Sequence, residues 1–289
     1  MITIRDLYQK YSKKIDLLDL ELILTHVLKK TREFVLAHPE YKITKYKVSA
    51  IKYLVSRRIK KEPIAYILGQ REFFGLSFKV NKYTLIPRPE TELLVELTID
   101  KILNTKYQIP NTIIDIGTGS GNIIISLAKH MRGGNKFAAI DISSKALKIA
   151  KQNAKLHKVN KKIKFLRGNL LEPMIRNWKL EIGNSRIVIL ANLPYLSKKI
   201  YSSASKDVKK YEPMSALLSG DDGLSHYKKL FKQIKKLVMG CGLQVTGFFE
   251  FSPEQKNLLH KLLKNTFPNA KTSFHKDLSG RWRIAQIEL

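Results

Sequence analysis

The chain has 289 residues, of which 44% are hydrophobic and 27% are charged, a composition typical of globular proteins. At about 150 residues per domain, this length predicts about two domains. The single cysteine, Cys241, excludes an intrachain disulfide and a cysteine-rich metal site, and it favours a reducing, cytoplasmic setting. No stretch of the sequence reaches the ~18 apolar residues that a membrane span requires.

The net charge is strongly positive. Lysine and arginine number 53 against 24 acidic residues, which gives +29, and lysines outnumber arginines 41 to 12. The excess is spread along the chain rather than gathered in an arm or a tail. Such a charge fits either a solvated, lysine-rich surface or proximity to nucleic acid or the ribosome, and composition leaves both interpretations open.

The first third of the chain changes character twice. Residues 1–70 carry apolar side chains at helical spacing and predict a small helical bundle. In residues 72–86, aromatic and β-branched residues alternate around Gly75, which predicts a hairpin. Pro87-Arg88-Pro89 is a stiff connector, and Glu90 to Leu103 reads as a helix.

From Thr112 onward, predicted strands and helices alternate. The strands are Thr112–Ile116, Phe137–Asp141, Ile163–Leu166, Arg186–Ala191 and Leu243–Phe251, and the helices are Asn122–Met131, Ser144–His157, Leu224–Val238 and Pro253–Asn265. The continuous apolar run Ile187 to Leu190 is typical of a strand buried on both faces of a parallel sheet. The alternation predicts a doubly wound α/β domain.

A glycine-rich segment, Asp115-Ile116-Gly117-Thr118-Gly119-Ser120-Gly121, follows the first of these strands and opens a helix. Glycines at such a position let the backbone turn tightly and approach a ligand closely. An ordinary strand-to-helix turn is one alternative. A dinucleotide-binding loop is another, although its fingerprint, GxGxxG, places the third glycine one residue later.

Asp141 ends the next predicted strand, 24 residues after Gly117. A carboxylate there can accept hydrogen bonds from two ribose hydroxyls. The alternative is an N-cap for the following helix, a role that Ser143 could fill instead. Together with the glycine loop, the position favours ribose binding.

The segment Ala191-Asn192-Leu193-Pro194-Tyr195 ends a strongly apolar strand, where side chains face the ligand crevice of a parallel sheet. The side-chain oxygen of Asn192 and the backbone carbonyl of Leu193 offer two acceptors that can hold an NH₂ group with its lone pair towards an electrophile. Pro194 stiffens the turn, and Tyr195 can stack on a planar amide or base. A strand-ending turn with a buried tyrosine is the alternative.

These motifs resemble those of a known family. The glycine loop and the Asn-Leu-Pro-Tyr segment are similar to those of amino-methyltransferases that use S-adenosylmethionine. Other segments resemble the peptide chain release factor glutamine methyltransferases (HemK/PrmC). They are Glu62 to Gly69, Arg71 to Gly75, Leu85 to Glu92, Tyr211 to Pro213, Gly220 to Leu224 and Asp277 to Arg281. The resemblance extends over the whole chain and is strongest from 62 to 224.

The resemblance implies an α/β fold with a Rossmann-like class I methyltransferase domain, whose mostly parallel sheet has seven strands. A helical substrate-recognition domain (1–70) and a β-hairpin linker (71–89) would precede that methyltransferase domain (90–289). The implied reaction methylates the side-chain amide nitrogen of the glutamine in the GGQ motif of class-1 release factors, with S-adenosylmethionine as cofactor.

The same resemblance implies roles for individual residues. It assigns Gly117, Thr118, Gly119, Ser120 and Gly121 to the methionine part of the cofactor, Asp141 to its ribose, and Asn169 with Leu170 to its adenine. It assigns Asn192, Leu193, Pro194 and Tyr195 to the glutamine amide, with Asn192 also bordering the cofactor. No metal site is expected, because the histidines His130, His157 and His226 lack ligand spacing and are interpreted as surface or core residues.

Two departures from the family pattern leave alternatives open. Leu193 stands where the family usually has proline, and Asn-Leu-Pro-Tyr also resembles ribosomal RNA adenine dimethylases. Methylation of an exocyclic amine on RNA or DNA, of the adenine N6 type, is therefore the alternative activity. Asn169 replaces the usual aspartate but keeps a carbonyl acceptor for adenine N6. A degenerate, nucleic-acid-binding methyltransferase fold and a dehydrogenase are more distant alternatives.

Three charged residues that follow the hairpin, Arg88, Glu90 and Glu92, have two interpretations. They either contact the cofactor or gate its site, or they form a structural charge network that joins the linker to the catalytic domain. The sequence does not decide between these roles.

Overall fold

The computed structural model describes residues 2–104, 111–131, 133–175, 186–241 and 243–289. These residues form two compact units. The first runs to Gln70 and includes Lys206–Tyr211, and the second comprises Arg71–Ser205 and Glu212–Leu289. None of the helices in the described ranges is long and apolar enough to cross a membrane.

The first unit is helical, as the apolar spacing predicts. Its helices are α1 (Ile4–Tyr11), α2 (Leu17–Leu28), α3 (Arg32–Ala37), α4 (Lys45–Ile59), α5 (Ile64–Leu68) and, far along the chain, α10 (Lys206–Tyr211). A short antiparallel pair, β1 (Ile2–Thr3) with β2 (Lys42–Ile43), accompanies them. Thr3 and Asp6 form a capping box at the start of α1, which satisfies backbone N–H groups that the helix itself leaves unpaired. The buried core includes Leu7, Leu20, Leu24, Val35, Val48 and Ile51.

The second unit begins with a hairpin and continues as an α/β domain. Its strands are β3 (Gln70–Phe73, of which Gln70 is the last residue of the first unit), β4 (Leu76–Lys79), β5 (Asn111–Ile116), β6 (Lys136–Asp141), β7 (Ile163–Arg167), β8 (Arg186–Ala191), β9 (Val245–Glu250), β10 (Lys271–Lys276) and β11 (Trp282–Glu288). Its α-helices are α6 (Glu92–Leu103), α7 (Asn122–His130), α8 (Ser144–Leu156), α9 (Lys198–Ser203), α11 (Ser225–Cys241) and α12 (Lys256–Thr266).

Seven strands form one sheet in the order β10-β11-β9-β8-β5-β6-β7. The strands β9, β8, β5, β6 and β7 run parallel, whereas β11 is antiparallel to β9 and to β10. The chain passes from β5 to β6 and β7 on one side and later to β8 on the other. The ends of β5 and β8 therefore flank a topological switch point, where open α/β sheets bind their ligands. The predicted Rossmann-like, mostly parallel fold is confirmed.

The central strands are buried on both faces. Ile113 of β5 packs into one apolar cluster and its neighbour Ile114 into another, because successive side chains of a strand point to opposite faces. The cluster with Ile113 includes residues of α6 and α7 and of the hairpin, and the cluster with Ile114 includes residues of α11 and α12. This double burial explains the continuous apolar runs in the sequence.

The predicted strands and helices from Thr112 to Asn265 are all present, with ends that differ by at most three residues. Strands β10 and β11 were not among the predicted elements. Polar residues interrupt both strands: β10 lies at the edge of the sheet, and β11 is only partly buried. The hairpin turns at Phe74-Gly75, and Asn81 forms a separate turn after β4, in which its side chain accepts from the Tyr83 N–H.

Candidate active site at the carboxyl ends of the parallel strands

The glycine loop joins β5 to α7 and is anchored through its main chain. The N–H groups of Gly117 and Thr118 both donate to the carbonyl of Ile140, at 2.8 and 3.0 Å. Gly121 has a φ of +81°, and a Cβ there would lie 2.8 Å from Ile125 Cδ1 and 3.1 Å from Ala150 Cβ. Only glycine fits this backbone and this close approach to α8.

Two buried polar side chains brace the loop from behind. Asp115 accepts a hydrogen bond from the Thr118 hydroxyl at 2.7 Å, and complete burial raises the pKa of its carboxyl group to about 7. Asn153 donates to the carbonyls of Ser120 and Lys79, at 2.8 and 3.0 Å, and its oxygen accepts from the Lys79 N–H. The loop is thereby connected to β4 of the hairpin as well as to the sheet.

Asp141 ends β6 beside the loop. Its Oδ2 accepts from the Gly119 N–H at 2.9 Å and its Oδ1 from the Ser143 N–H at 2.8 Å. Burial raises the pKa of this carboxyl group, and the two N–H groups act in the opposite direction. The N-cap of α8 is Ser143, whose hydroxyl accepts from the Ala146 N–H. Each Asp141 oxygen keeps the capacity to accept a second hydrogen bond.

The segment after β8 faces the glycine loop. Asn192 donates from Nδ2 to the hydroxyl of Thr91 at 3.0 Å, and no described residue donates to its Oδ1. Leu193 is buried, its N–H donates to the Tyr227 hydroxyl at 3.4 Å, and its Cδ2 lies 3.0 Å from the point where a Cβ on Gly117 would stand. The two loops therefore touch each other.

Tyr195 points away from this contact. Its hydroxyl donates to Glu250 Oε1 at 3.2 Å, and its carbonyl accepts from Gln255 Nε2 at 2.8 Å. Burial and the neighbouring Glu250 carboxylate raise the pKa of the phenol well above its ordinary value. Tyr195 thus ties the end of this segment to β9.

A cavity of about 260 Å³ lies where these segments meet. The predicted site residues that line it are Gly117, Thr118, Gly119, Ser120, Asp141, Asn169, Leu170, Asn192, Leu193 and Pro194. Two predicted site residues, Gly121 and Tyr195, do not line it. Asn169 donates from Nδ2 to Glu172 Oε1 at 3.3 Å, which leaves its oxygen as the end available to a ligand.

The cavity also has walls outside the predicted glycine-loop, Asp141, Asn169 and Asn192 segments. The segment from Tyr83 to Arg88 lines it, together with Thr91 and His226. His226 contacts the Ser219 hydroxyl at 2.7 Å, and burial lowers its pKa. This histidine was interpreted as a surface or core residue, and no spacing rule connects it to the glycine loop.

Two of the charged residues that follow the hairpin, Arg88 and Glu92, have structural contacts. Arg88 pairs with the buried carboxylate of Glu212 at 2.5 Å, and the Ile86 N–H donates to the same group at 3.3 Å. Glu92 accepts from the Phe74 N–H at 2.8 Å. Arg88 and Glu92 therefore make structural contacts, while Arg88 also lines the cavity, so both interpretations stay open for this residue.

A parallel sheet with a glycine loop after one strand, an acidic residue ending the next and an Asn-x-Pro-Tyr segment ending a third defines a class I methyltransferase. Solved structures with this fold include hMettl16 catalytic domain in complex with MAT2A 3'UTR hairpin 6 (TM-score 0.54, 18% identity, 81% of each chain covered). The N-terminal domain of human METTL16 in complex with SAH is also similar (TM-score 0.51, 15% identity, 92% of this chain and 93% of that one). At these identities the likeness concerns the fold.

Sequence comparison identifies the family. Residues 7–69 match the PrmC N-terminal domain model, and residues 110–216 match a methyltransferase domain model. The Release factor glutamine methyltransferase of Dictyoglomus turgidum is 38% identical over 271 residues, which cover 93% of this chain and 90% of that protein. The protein of the same name from Enterococcus faecalis is 35% identical over 253 residues, covering 88% and 85%. The chain belongs to the release factor glutamine methyltransferase family.

Proposed function

We propose that this chain is a protein-glutamine N-methyltransferase that modifies the GGQ-motif glutamine of class-1 peptide chain release factors in the cytoplasm, with S-adenosylmethionine as methyl donor. The names of relatives that match over most of the chain support the substrate. The observation that carries the chemistry is the Asn192 amide at the cavity, whose nitrogen is engaged by Thr91 and whose oxygen is left to accept.

The cavity suits the cofactor. Asp141 has acceptor capacity for ribose hydroxyls, and Ile142, Leu170 and Ala146 supply apolar surface for a purine. Asn169 offers a carbonyl acceptor at the same end. When bound, S-adenosylmethionine would supply an electrophilic methyl group beside Asn192.

The site would have to activate a poor nucleophile, the side-chain amide nitrogen of the substrate glutamine. The lone pair of an amide nitrogen is delocalised into its carbonyl group. If the glutamine NH₂ donates to Asn192 Oδ1 and to the Leu193 carbonyl, the two hydrogen bonds favour a pyramidal nitrogen. They also stabilise the positive charge that develops on this nitrogen during methyl transfer. Positioning against the methyl group supplies much of the remaining acceleration. The bound cofactor would supply its methyl group to the glutamine nitrogen and keep the S–C electron pair on sulfur, and water would take the amide proton.

The division of labour along the chain is part of the proposal. Residues 1–70 would recognise the release factor, residues 71–89 would link the two parts, and residues 90–289 would carry out methyl transfer. The matched PrmC N-terminal model at 7–69 supports a separate role for the first segment.

The test is mass spectrometry of a purified release factor after incubation with the enzyme and cofactor, with ribosomal RNA and DNA in parallel reactions. A release factor in which the GGQ glutamine is replaced by asparagine is the matched substrate control. We expect one added methyl group on that glutamine alone. Methylation of nucleic acid with an unmodified release factor would overturn the proposal in favour of exocyclic-amine methylation.

A further inference from the structure

Leu193 differs in two respects from the proline that the family usually has at this position. The ring of a proline fixes φ at about −65°, whereas the side chain of leucine leaves φ free. Leucine also keeps a backbone N–H group that can donate a hydrogen bond. The carbonyl of Leu193 is one of the two proposed acceptors for the glutamine amide, so the direction of this carbonyl depends on how firmly the backbone of residue 193 is held.

The N–H of Leu193 has a partner inside the protein, the hydroxyl of Tyr227, at 3.4 Å. Tyr227 lies near the start of α11 and is completely buried. The same hydroxyl donates to the Glu250 carbonyl and lies 3.1 Å from the Ala191 carbonyl. One phenol thus contacts the last residues of two neighbouring strands, β8 and β9, together with the main chain that follows β8.

The number of hydrogens on this hydroxyl decides what it can do for Leu193. A phenol has one hydrogen to donate, and its oxygen can also accept. Burial raises the pKa of Tyr227 well above its ordinary value, so the hydroxyl keeps its hydrogen at neutral pH. Because this hydrogen is directed to the strand-end carbonyls, the lone pairs of the oxygen are left to accept from the Leu193 N–H.

The ring of Tyr227 is held in place independently of its hydroxyl. It stacks against Phe231, with the ring centroids 5.7 Å apart, and meets Phe249 of β9 edge to face at 5.9 Å. Both phenylalanines are completely buried in the apolar cluster that covers this face of the sheet. Removal of the hydroxyl alone should therefore leave the ring and α11 where they are.

We propose that Tyr227 is a positioning residue that fixes the peptide unit between Asn192 and Leu193, and that it thereby takes the place of the missing proline ring. A peptide unit is planar, so a hydrogen bond to the Leu193 N–H fixes the orientation of the whole plane. Rotation on either side of this plane is then restricted, and these rotations set where the Asn192 side chain and the Leu193 carbonyl lie relative to each other. The inference rests on the proposed function, because these two groups are the proposed acceptors for the glutamine amide.

A double-mutant cycle in the full chain tests the proposal. Tyr227→Phe keeps the ring and removes the hydroxyl. Leu193→Pro removes the N–H and supplies a ring that fixes φ, and the third variant combines both changes. The matched control is Thr98→Val, which removes another completely buried hydroxyl, bonded to the Leu94 carbonyl within α6.

We expect Tyr227→Phe to lower kcat on the release factor about tenfold when residue 193 is leucine, which corresponds to about 1.4 kcal/mol in the barrier. The physical reason is that a reaction that depends on positioning is slowed by a small displacement of the positioning groups. In the Leu193→Pro background the same change should alter kcat by less than about twofold, because proline has no N–H to be held. Thr98→Val should leave kcat unchanged.

A tyrosine that only stabilises the fold predicts a different result. Loss of its hydrogen bonds to the strand-end carbonyls lowers the unfolding temperature in both backgrounds, and kcat would then fall equally in both. Cofactor affinity, measured by calorimetry, should change by less than about threefold in Tyr227→Phe, because the hydroxyl has no hydrogen bond to Asp141 or the glycine loop. An equal decrease of kcat in the two backgrounds, or no decrease with leucine at residue 193, overturns the proposal.

Hydrogen exchange of the Leu193 amide does not depend on the substrate. In protein labelled with ¹⁵N-leucine, this amide should exchange at least about tenfold faster in Tyr227→Phe than in the wild type, with the Leu263 amide inside α12 as the reference for global opening. If the wild type leaves the release factor unmethylated but the exchange accelerates as expected, the proposed function fails and the positioning contact stands. Unchanged exchange of the Leu193 amide in Tyr227→Phe overturns the inference, whatever the enzyme methylates.

Discussion

The two walls of the cavity are held in place by different kinds of contact. The glycine-loop wall is anchored by its own main chain, through Gly117 and Thr118 on β6 and through the Gly119 N–H on Asp141. The Asn192 wall is anchored by side chains from distant segments, and Thr91 lies 101 residues earlier in the chain. Substitutions on the first wall should therefore act mainly on cofactor affinity, and those on the second mainly on turnover.

The largest expected effect is on the second wall. Asn192→Ala removes the accepting oxygen, and loss of one preorganised group of this kind typically costs ~10²–10³ in rate. Folding and cofactor binding should remain close to wild type, because the glycine loop is anchored elsewhere. Methyl incorporation into the release factor, with calorimetry for the cofactor, measures both. Asn192→Asp, which keeps an acceptor oxygen, should retain part of the activity, and full activity of Asn192→Ala would exclude the amide clamp.

The corresponding change on the first wall is Asp141→Ala. It removes the predicted ribose contacts and frees the Gly119 N–H, so cofactor affinity should fall by roughly 2–4 kcal/mol. Calorimetric titration with S-adenosylmethionine measures this loss, and Asp141→Asn is the matched variant that keeps one acceptor oxygen. An unaltered affinity in a folded Asp141→Ala protein would remove this residue from the cofactor site.

The buried carboxyl group behind the second wall predicts a pH dependence of stability. Burial raises the pKa of Glu250 to about 7 from the ordinary value of 4.5, while Arg283 and Tyr195 act to lower it and Glu90 acts to raise it. Between these values the folded protein holds a proton that the unfolded chain has released. Glu250 therefore favours folding in acid, and this contribution is lost as the pH rises through about 7.

Glu250→Gln removes this ionisation and retains every other titrating group. The unfolding temperature of Glu250→Gln minus that of the wild type should therefore increase from about pH 5 to about pH 8. Asp115, which has the same direction of shift, is present in both proteins and cancels in the difference. Thermal unfolding at several pH values measures the difference, and two parallel curves would mean that folding does not raise the pKa of Glu250.

The smallest effect is expected for Leu193→Pro. The change restores the residue that the family usually has and keeps the backbone carbonyl, so turnover should stay within about tenfold of wild type. It also removes the N–H that donates to the Tyr227 hydroxyl, so a small decrease in the unfolding temperature should accompany it. A greater loss of turnover would show that the leucine side chain, which packs against Gly117, shapes the site.

The same difference between the walls explains what could be predicted from the sequence. The glycine loop and Asp141 follow from local rules, because glycines with positive φ and a carboxylate at a strand end leave short, ordered motifs. The α/β alternation likewise follows from apolar runs. Thr91 had no such signal, since its contact with Asn192 exists only once residues 101 positions apart in the chain are brought together.

The edge of the sheet is a second region that the sequence pattern did not predict. Strands β10 and β11 pair antiparallel and carry mixed polar and apolar residues, so no continuous apolar run marks them. His226 likewise reaches the cavity only through the placement of α11. The catalytic and cofactor roles of the predicted residues stay predictions until the variants above are measured.

The pair between Arg88 and Glu212 has a consequence for the order in which the pocket is assembled. It joins residues 124 positions apart, and the same carboxylate holds the Ile86 N–H across 126 positions. Contacts of such sequence separation form late, because the intervening chain must first be ordered. A ribosome-bound chain that has not yet exposed Glu212 lacks the group that holds Ile86 and Arg88 beside the cavity. The cofactor pocket is therefore completed only when most of the chain has been synthesised.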